Sequence, residues 1–325
     1  MARIRAVVAM LTTIVACVLC AQAWAQDYPS RTVTIVVPYP PGGGVDVLAR
    51  VIAEKLSGAL KQQVIVDNRG GGGGNIGTRS VAKAEPDGYT LLLGHTGTMA
   101  INPTLYANPG YDPRKDFAPI GLIASMPVAL IAHPSFPAKT VAELIALIKQ
   151  EPGKYNIGTS AIGTGSYLCA ELFRSVAGLN MTLVPYRGTA PLMNDLLGGH
   201  VPVAFGVLPP ALGNLQAGKL RALAVTSKIR FSGLPDVPTV DQSGLPGFEA
   251  VLRYGLLAPT GTPQPIIARL NKELRALAST EDVKKRIFSE GGDPVTSSAE
   301  EHAADIDSEE KKWAALIKKL NLKVD

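Results

Sequence analysis

The sequence predicts an α/β protein built from two units, because short β-branched runs alternate with helical patterns and this alternation starts twice. The first unit has strands at 33–37, 64–66 and 89–93, with a helical pattern over 45–60. Strand, loop and helix in this order are typical of βαβ units with parallel strands. The alternation restarts after Pro127, and a chain of this length can bury two cores of ordinary size.

The second unit continues the pattern and is followed by a Pro-rich connection at 234–246. Its predicted strands are 128–132, 155–158, 182–184, 201–205 and 222–225. Its predicted helices are 141–150, 166–177 and 190–197. Only one strand, at 255–258, comes after the connection, and a lone strand cannot form a sheet. We therefore expect it to rejoin the first unit. This predicts a discontinuous lobe 1 (26–126 and 250–325), a lobe 2 (127–249) and two chain crossings.

The first 25 residues have the features of a secretory leader. Arg3 and Arg5 precede the apolar run 6–19, and Ala23-Trp24-Ala25 supplies the small-x-small pattern of a cleavage site. Cleavage near Ala25 would place the mature protein in the periplasm. Two alternatives are a membrane anchor, although the run is shorter than the roughly 20 residues that span a bilayer, and a lipoprotein box at 14–17, although no polar tether follows it.

Composition excludes several classes of protein. Cys17 and Cys20 leave with the leader, so Cys169 alone cannot form a disulfide framework or a thiolate zinc site. Cys169 lies in an apolar helical run, where a buried structural thiol is expected. The mature chain keeps 30 basic against 27 acidic residues, well interspersed. This suits an anionic ligand but is not the basic footprint of a nucleic-acid-binding protein.

The glycine-rich segment 38–46 lies between the first strand and the first helix. Backbone N–H groups at a helix start favour anions, and glycines let a ligand approach the backbone closely. The candidate binding residues here are Tyr39, Gly42, Gly43, Gly44 and Asp46. The alternative is an ordinary βα turn.

A second glycine-rich segment, 72–77, matches G-x-G-x-x-G after a strand and before a helix. It lacks the acidic residue about 20 positions later that would bind a ribose. Five consecutive glycines also make a chance match easy. We therefore predict no dinucleotide, and no other cofactor.

Catalytic and metal-binding patterns are absent from the sequence. His95, His133, His200 and His302 are scattered, without the spacing of metal ligands. The segment 158–162 lacks the final glycine of a nucleophile elbow, so an enzyme is not expected. A secreted hydrolase that uses Ser160 or Ser166 is the alternative.

Two polar turns follow strands, where ligands gather in open α/β sheets. His95, Thr96 and Thr98 follow the third strand of the first unit. In the second unit the hydroxyl- and glycine-rich run 159–166 contains Ser160, Gly163 and Thr164. Such turns, facing each other, would form a polar cleft suited to a carboxylate. Thr164 or Ser166 would alternatively cap the following helix.

Several ordered motifs resemble one family. They include "TVTIVVPYPPGGGVDVLAR", "VDNRGGGGGNIGT", "PDGYTLLLGHTGTMAINPTLY" and "VPYRGTAPLMNDLLGGHV", and the match runs from Tyr28 to the C-terminus. The chain is similar to the Bug, or TctC-type, extracytoplasmic solute receptors of tripartite tricarboxylate transporters. The resemblance implies a two-lobe periplasmic-binding-protein fold, each lobe a mixed sheet flanked by helices. It also implies clamshell closure on a carboxylate held by the loops at 42–46 and 160–164.

The resemblance further implies a monomer without cofactor that binds a mono-, di- or tricarboxylate or an aromatic acid and delivers it to membrane transporter subunits. Delivery to a signalling system is the alternative. The chain departs from the family pattern at Gly206, where an acid is expected, at Tyr167, often a histidine, and at Arg253, often aromatic. Losing an acid and gaining a guanidinium would favour a second carboxylate over an ammonium group. Alternatively, Arg253 faces solvent.

Overall fold

The computed structural model describes residues 28–42 and 44–324. The predicted leader and Gly43 therefore lie outside the described residues. Within the described ranges, no helix is both long and apolar enough to cross a membrane.

The described chain contains ten strands and ten α-helices. The strands are β1 (Val33–Val37), β2 (Val64–Asn68), β3 (Thr90–His95), β4 (Phe117–Ala132), β5 (Asn156–Thr159), β6 (Thr182–Pro185), β7 (Val203–Val207), β8 (Arg221–Val225), β9 (Val251–Pro259) and β10 (Asp293–Pro294). The helices are α1 (Gly44–Leu60), α2 (Asn75–Ala82), α3 (Asn102–Leu105), α4 (Val141–Gln150), α5 (Gly165–Ala177), α6 (Thr189–Leu197), α7 (Pro209–Gln216), α8 (Gln264–Ala278), α9 (Glu281–Ser289) and α10 (Ala299–Lys319).

Helix α1 forms because its apolar residues recur on one face. Leu48, Ile52 and Leu56 are each fully buried at a spacing of four residues. They share a core cluster with Val33 and Ile35 of β1. This packing fixes the start of α1 at the carboxyl end of β1, where the glycine-rich turn was predicted.

The strands form two mixed sheets that share β4. In the first, β1 lies between β2 and β3, all parallel, and β9 joins antiparallel between β3 and β4. In the second, β5 lies between β6 and β7 in parallel, while β7 and β8 pair antiparallel with β4. Helices pack on both sheets.

Strand β4 passes from one sheet to the other within its length. Phe117 to Pro127 pair with β9, and Val128 to Ala132 pair with β7. The change of partner lies beside the crossing predicted near Met126, and β9 begins just after Ala250, where the chain was predicted to return. The assignment of residues to lobes stays a prediction.

The sequence predicted only the final part of β4, as 128–132. The missed part contains Pro119 and Gly121, and the register with β9 shifts at this point and again between Leu122 and Ala124. Such irregularities interrupt the alternation by which a strand is recognised in a sequence. Helix α7 was also missed, because it begins with two prolines and has a short apolar face.

The C-terminal helix α10 packs against both sheets. Near its start, His302 lies so close to β9 that a Cβ on Gly255 would be 2.7 Å from its Nε2. Near its end, Trp313 shares a core cluster with Phe173 of α5. Side chains from the predicted lobe 1 thus complete the core of the segment 127–249. They are Ala100, Ile101, Leu105, Ala250, Trp313, Leu316 and Ile317.

Candidate functional site

A cavity of about 140 Å³ lies where the two sheets meet, and we call it the cleft cavity. Its lining comes from both sides of the junction: Gly44, Val45, Met126, Pro127, Val207, Leu208, Pro209, Leu252, Tyr254, Glu290 and Gly291. For scale, a protein cavity of about 150 Å³ admits benzene. The cleft cavity therefore has room for a small organic molecule.

The first turn of α1 forms one wall. Gly44 and Val45 line the cavity, and the first N–H groups of any helix lack partners within the helix. The partial positive charge at this helix end favours an anion. Of the predicted binding residues that the structure describes, Gly44 is the one that lines the cleft cavity.

Asp46 shapes this wall from behind. Its carboxylate accepts hydrogen bonds from the Gly42 N–H (2.9 Å) and from Arg50 Nε (3.0 Å), and it is 3% exposed. Burial acts to raise the pKa of Asp46, but these bonds and one with Asn68 hold it below its usual value. Asp46 therefore fixes the turn at Gly42, which has a φ of 87°, and its carboxylate is paired with Arg50.

Three aromatic rings pack beside one another next to this wall, and Tyr254 is the one of the three that lines the cleft cavity. Tyr39 stacks on His95 with ring centres 5.0 Å apart, and Tyr254 lies 5.4 Å from His95 on the other side. The Nδ1 of His95 accepts the Gly97 N–H at 2.7 Å, which leaves its Nε2 as the protonated nitrogen. Burial lowers the pKa of His95 to about 4, so the ring is neutral near pH 7.

The Thr96 and Thr98 hydroxyls form hydrogen bonds with backbone groups. The Thr96 hydroxyl accepts the Arg253 N–H at 2.8 Å and so ties this turn to β9. The Thr98 hydroxyl donates to the His95 carbonyl at 3.2 Å within the same turn. Both side chains are buried, and neither lines the cleft cavity.

Strands β4 and β9 form the floor of the cleft cavity. Leu252 and Tyr254 of β9 face the cavity, as do Met126 and Pro127 of β4. Successive residues of a strand point to opposite faces, so Arg253 faces the other way. The floor is therefore apolar apart from the Tyr254 hydroxyl.

Arg253 lies outside the cleft cavity, so its predicted place in the site stays a prediction. Its guanidinium lies among Glu249 (3.1 Å), Asp305 (3.0 Å) and Glu309 (3.6 Å), the last two on α10. Its charge is thus balanced within the protein, on the face of β9 that does not line the cleft cavity. In this structure Arg253 is neither in the cleft cavity nor fully in solvent, and selection of a second carboxylate by Arg253 stays a prediction.

The second wall comes from the turn between β7 and α7. Val207, Leu208 and Pro209 line the cavity. Helix α7 begins with Pro209 and Pro210, which have no N–H, so this helix start cannot bind an anion as α1 can. Gly206 lies one residue before this wall, and a Cβ there would be 3.4 Å from Ile131.

The loop before α5 lies beside the cavity. The Ser160 and Thr164 hydroxyls bond each other at 2.9 Å, and Thr164 caps α5. Gly163, with a φ of 82°, lies against Leu105. Gly165, the first residue of α5, lies against Leu252. A Cβ on Gly165 would be 2.5 Å from the Leu252 side chain. The loop thus supports the floor, and Ser160, Gly163 and Thr164 are outside the lining.

The second glycine-rich segment supports the first wall. The Gly73 carbonyl accepts hydrogen bonds from Tyr39 (3.2 Å) and Asn102 (2.9 Å). A Cβ on Gly77 would be 2.8 Å from the Pro38 Cα. This close packing explains the glycines without a bound phosphate.

Sequence reasoning missed the floor, the β7–α7 wall and Glu290. Glu290 follows α9, in a region without a binding motif. Its Oε2 lies 3.5 Å from where a Cβ on Gly44 would be, so only the folded chain brings it to the cavity. Among residues 28–42 and 44–324, no group of three or more His, Cys, Asp or Glu is arranged to hold a metal ion.

The sequence and fold are similar to known receptors. The family described as "Tripartite tricarboxylate transporter family receptor" matches residues 48–322. Protein BugT of Bordetella pertussis is 35% identical over 301 residues, which cover 92% of each chain.

Two solved structures carry ligands in their descriptions. A protein of R. palustris, described with adipate, is 37% identical with a TM-score of 0.79 and covers 92% of this chain and 100% of its own. MatC from Rhodopseudomonas palustris, described with bound malate, is 33% identical with a TM-score of 0.73, covering 89% and 100%.

Proposed function

This chain belongs to the tripartite tricarboxylate transporter receptor family, and from that premise we propose that its cleft cavity binds a small organic acid through the first turn of α1. The membership confirms the family resemblance and the two-lobe periplasmic-binding-protein fold. It also confirms that the chain is a receptor and not an enzyme, which removes the hydrolase alternative.

The observation that carries the proposed site is the position of the α1 start inside the cleft cavity. Its free N–H groups supply hydrogen bonds to a carboxylate, and the helix dipole supplies favourable charge. The rest of the lining is largely apolar and suits the hydrocarbon part of such an acid. Adipate and malate, named with two relatives, set the scale for the ligand that we propose for this chain.

We place the chain in the periplasm as a family member, and propose cleavage of its leader near Ala25. We further propose that lobes 26–126 with 250–325 and 127–249 close on the ligand about β4 and β9 before a monomer docks on the membrane subunits. Because α10 packs against both sheets, closure should be small. Scattering with and without ligand should show a slightly smaller radius of gyration when bound, and an increase would contradict this.

The binding site is tested by blocking the cavity. Val207 lines it and is only partly buried, so Val207→Trp should fill the space while the fold is kept. Val176→Trp is the matched control, because Val176 is 50% exposed on α5. Thermal unfolding is followed with succinate, malate, adipate, citrate and benzoate.

At about 100 times its Kd, a ligand adds roughly 2.7 kcal/mol to the free energy of unfolding. At least one acid should stabilise the wild type and Val176→Trp to this extent but leave Val207→Trp unchanged. Equal stabilisation of both variants would place the ligand elsewhere.

A further inference from the structure

The cleft cavity contains one acidic side chain that the family resemblance did not lead us to expect. Glu290 is held in place by its backbone N–H, which donates to the carbonyls of Arg286 and Ile287, each at 3.1 Å. Its side chain is 17% exposed. Its carboxylate lies beside Gly44, at the same helix start that we propose as the carboxylate anchor.

The charge of Glu290 is incompletely balanced. The nearest cation found for it within the described chain is Arg286, whose Nη2 is 3.7 Å away on a half-exposed side chain. This exceeds the length of a normal hydrogen bond. The other residues that line the cavity carry no charge near pH 7, since Tyr254 has its pKa raised by burial. A bound ligand would therefore face a carboxylate without a matching cation.

This arrangement restricts what can bind next to the anchored carboxylate. Glu290 would repel both the anchored carboxylate and any second anionic group there, whereas an ammonium or hydroxyl group of the ligand would donate a charge-assisted hydrogen bond to Glu290. Because Glu290 lies beside the anchor itself, the donor must be close to the anchored carboxylate along the ligand.

We propose that Glu290 selects 2-amino acids and, more weakly, 2-hydroxy acids over the corresponding unsubstituted acids. This inference rests on the proposed function and narrows its ligand class. It reverses the preference expected from Gly206 and Arg253: an acid is missing at the end of β7, but another reaches the cavity from the opposite wall.

The test compares acids that differ only at carbon 2. One series is succinate, malate and aspartate, and the other is adipate, 2-hydroxyadipate and 2-aminoadipate. Titration calorimetry gives each Kd for the wild type and for Glu290→Gln, which keeps the shape and removes the charge. Glu281→Gln is the matched control, because Glu281 lies on α9 with a 77% exposed side chain paired to Lys284.

In at least one series, the wild type should bind the amino acid about tenfold or more tighter than the unsubstituted acid, with the hydroxy acid between them. Glu290→Gln should weaken the amino acid by about tenfold and tighten the unsubstituted acid. Glu281→Gln should change none of these values.

Two outcomes would overturn the inference alone: an unsubstituted acid that binds the wild type as tightly as its amino derivative, or a Glu290→Gln variant that changes all three acids equally. The proposed function would survive both. Failure of the wild type to bind any of the six acids would overturn the inference, and failure to bind citrate and benzoate as well would contradict the proposed function.

Discussion

The two faces of β9 have different surroundings. Leu252 and Tyr254 point into the cleft cavity, whereas Arg253 and Gly255 point towards α10. The first face is apolar and leaves space. The second is filled by an ion cluster and by a histidine packed against bare backbone. One residue of register therefore separates a side chain that lines the cleft cavity from one that packs against α10.

The comparison shows that a charge near a binding cleft is not evidence of a binding role. Arg253 is the most conspicuous charge on β9, yet its partners are protein carboxylates. Glu290 has no sequence motif but lines the cavity.

The largest effect is expected from Gly255→Val. A Cβ there would be 2.7 Å from His302 Nε2 and 2.8 Å from the Gly121 carbonyl, so backbone must move. Such overpacking typically costs about 1 to 3 kcal/mol, and backbone contacts place this substitution at the upper end. Urea denaturation measures the loss. Gly213→Ala, with open space around the new Cβ, is the control, and equal stability of the two variants would refute tight packing on this face.

Arg253→Ala should lower stability without changing ligand preference. Its removal leaves Glu249, Asp305 and Glu309 close together with only Lys312 nearby. Breaking a buried pair costs about 3 to 5 kcal/mol, and less is expected here because Arg253 is 23% exposed. Calorimetry should find similar affinities for adipate and hexanoate before and after the change. A selective loss of adipate would return Arg253 to the binding site.

The ion cluster also predicts a pH dependence. Burial raises the pKa of Asp305 to about 6, although Arg253 acts to lower it. The unfolded group has a pKa of about 3.9, so between pH 4 and 6 the folded protein holds the extra proton. The stability that this proton provides is present below pH 4 and is lost as pH rises through 6.

Asp305→Asn should remove this contribution, because the amide stays neutral. Relative to the wild type, the variant should gain roughly 2 to 3 kcal/mol between pH 4 and 7, at about 1.4 kcal/mol per pKa unit. His95 and His302, whose pKa values burial lowers to about 4 and about 3, are present in both proteins. Their effect cancels in the difference, and a pH-independent difference would show that Asp305 titrates normally.

The helix start that forms the first wall could be predicted, because the residues that determine it are adjacent in the sequence. A strand, a run of glycines and an amphipathic helix place Gly44 at a helix start whatever the rest of the chain does. Asp46 was also identified there, and in the structure its carboxylate accepts the Gly42 N–H of the same turn. The succession of strands and helices along most of the chain was predictable for the same reason, since each βαβ unit is recognisable from local periodicity.

The floor could not be predicted in this way. The sequence indicated β9 only at 255–258, so no register was available for Arg253. Glu290 reaches Gly44 across a sequence separation of well over 200 residues, through the packing of α9 beside α1. Such a contact depends on the tertiary structure, and no short motif in the sequence indicates it.

The central claim is that ligand binds on the Leu252 and Tyr254 face of β9, and a crystal structure with the tightest-binding acid tests it most directly. We predict a carboxylate within about 3 Å of the Gly44 and Val45 N–H groups, with the hydrocarbon part over Leu252 and Tyr254. A ligand bound instead on the opposite face of β9, against Arg253 and Asp305, would contradict the account.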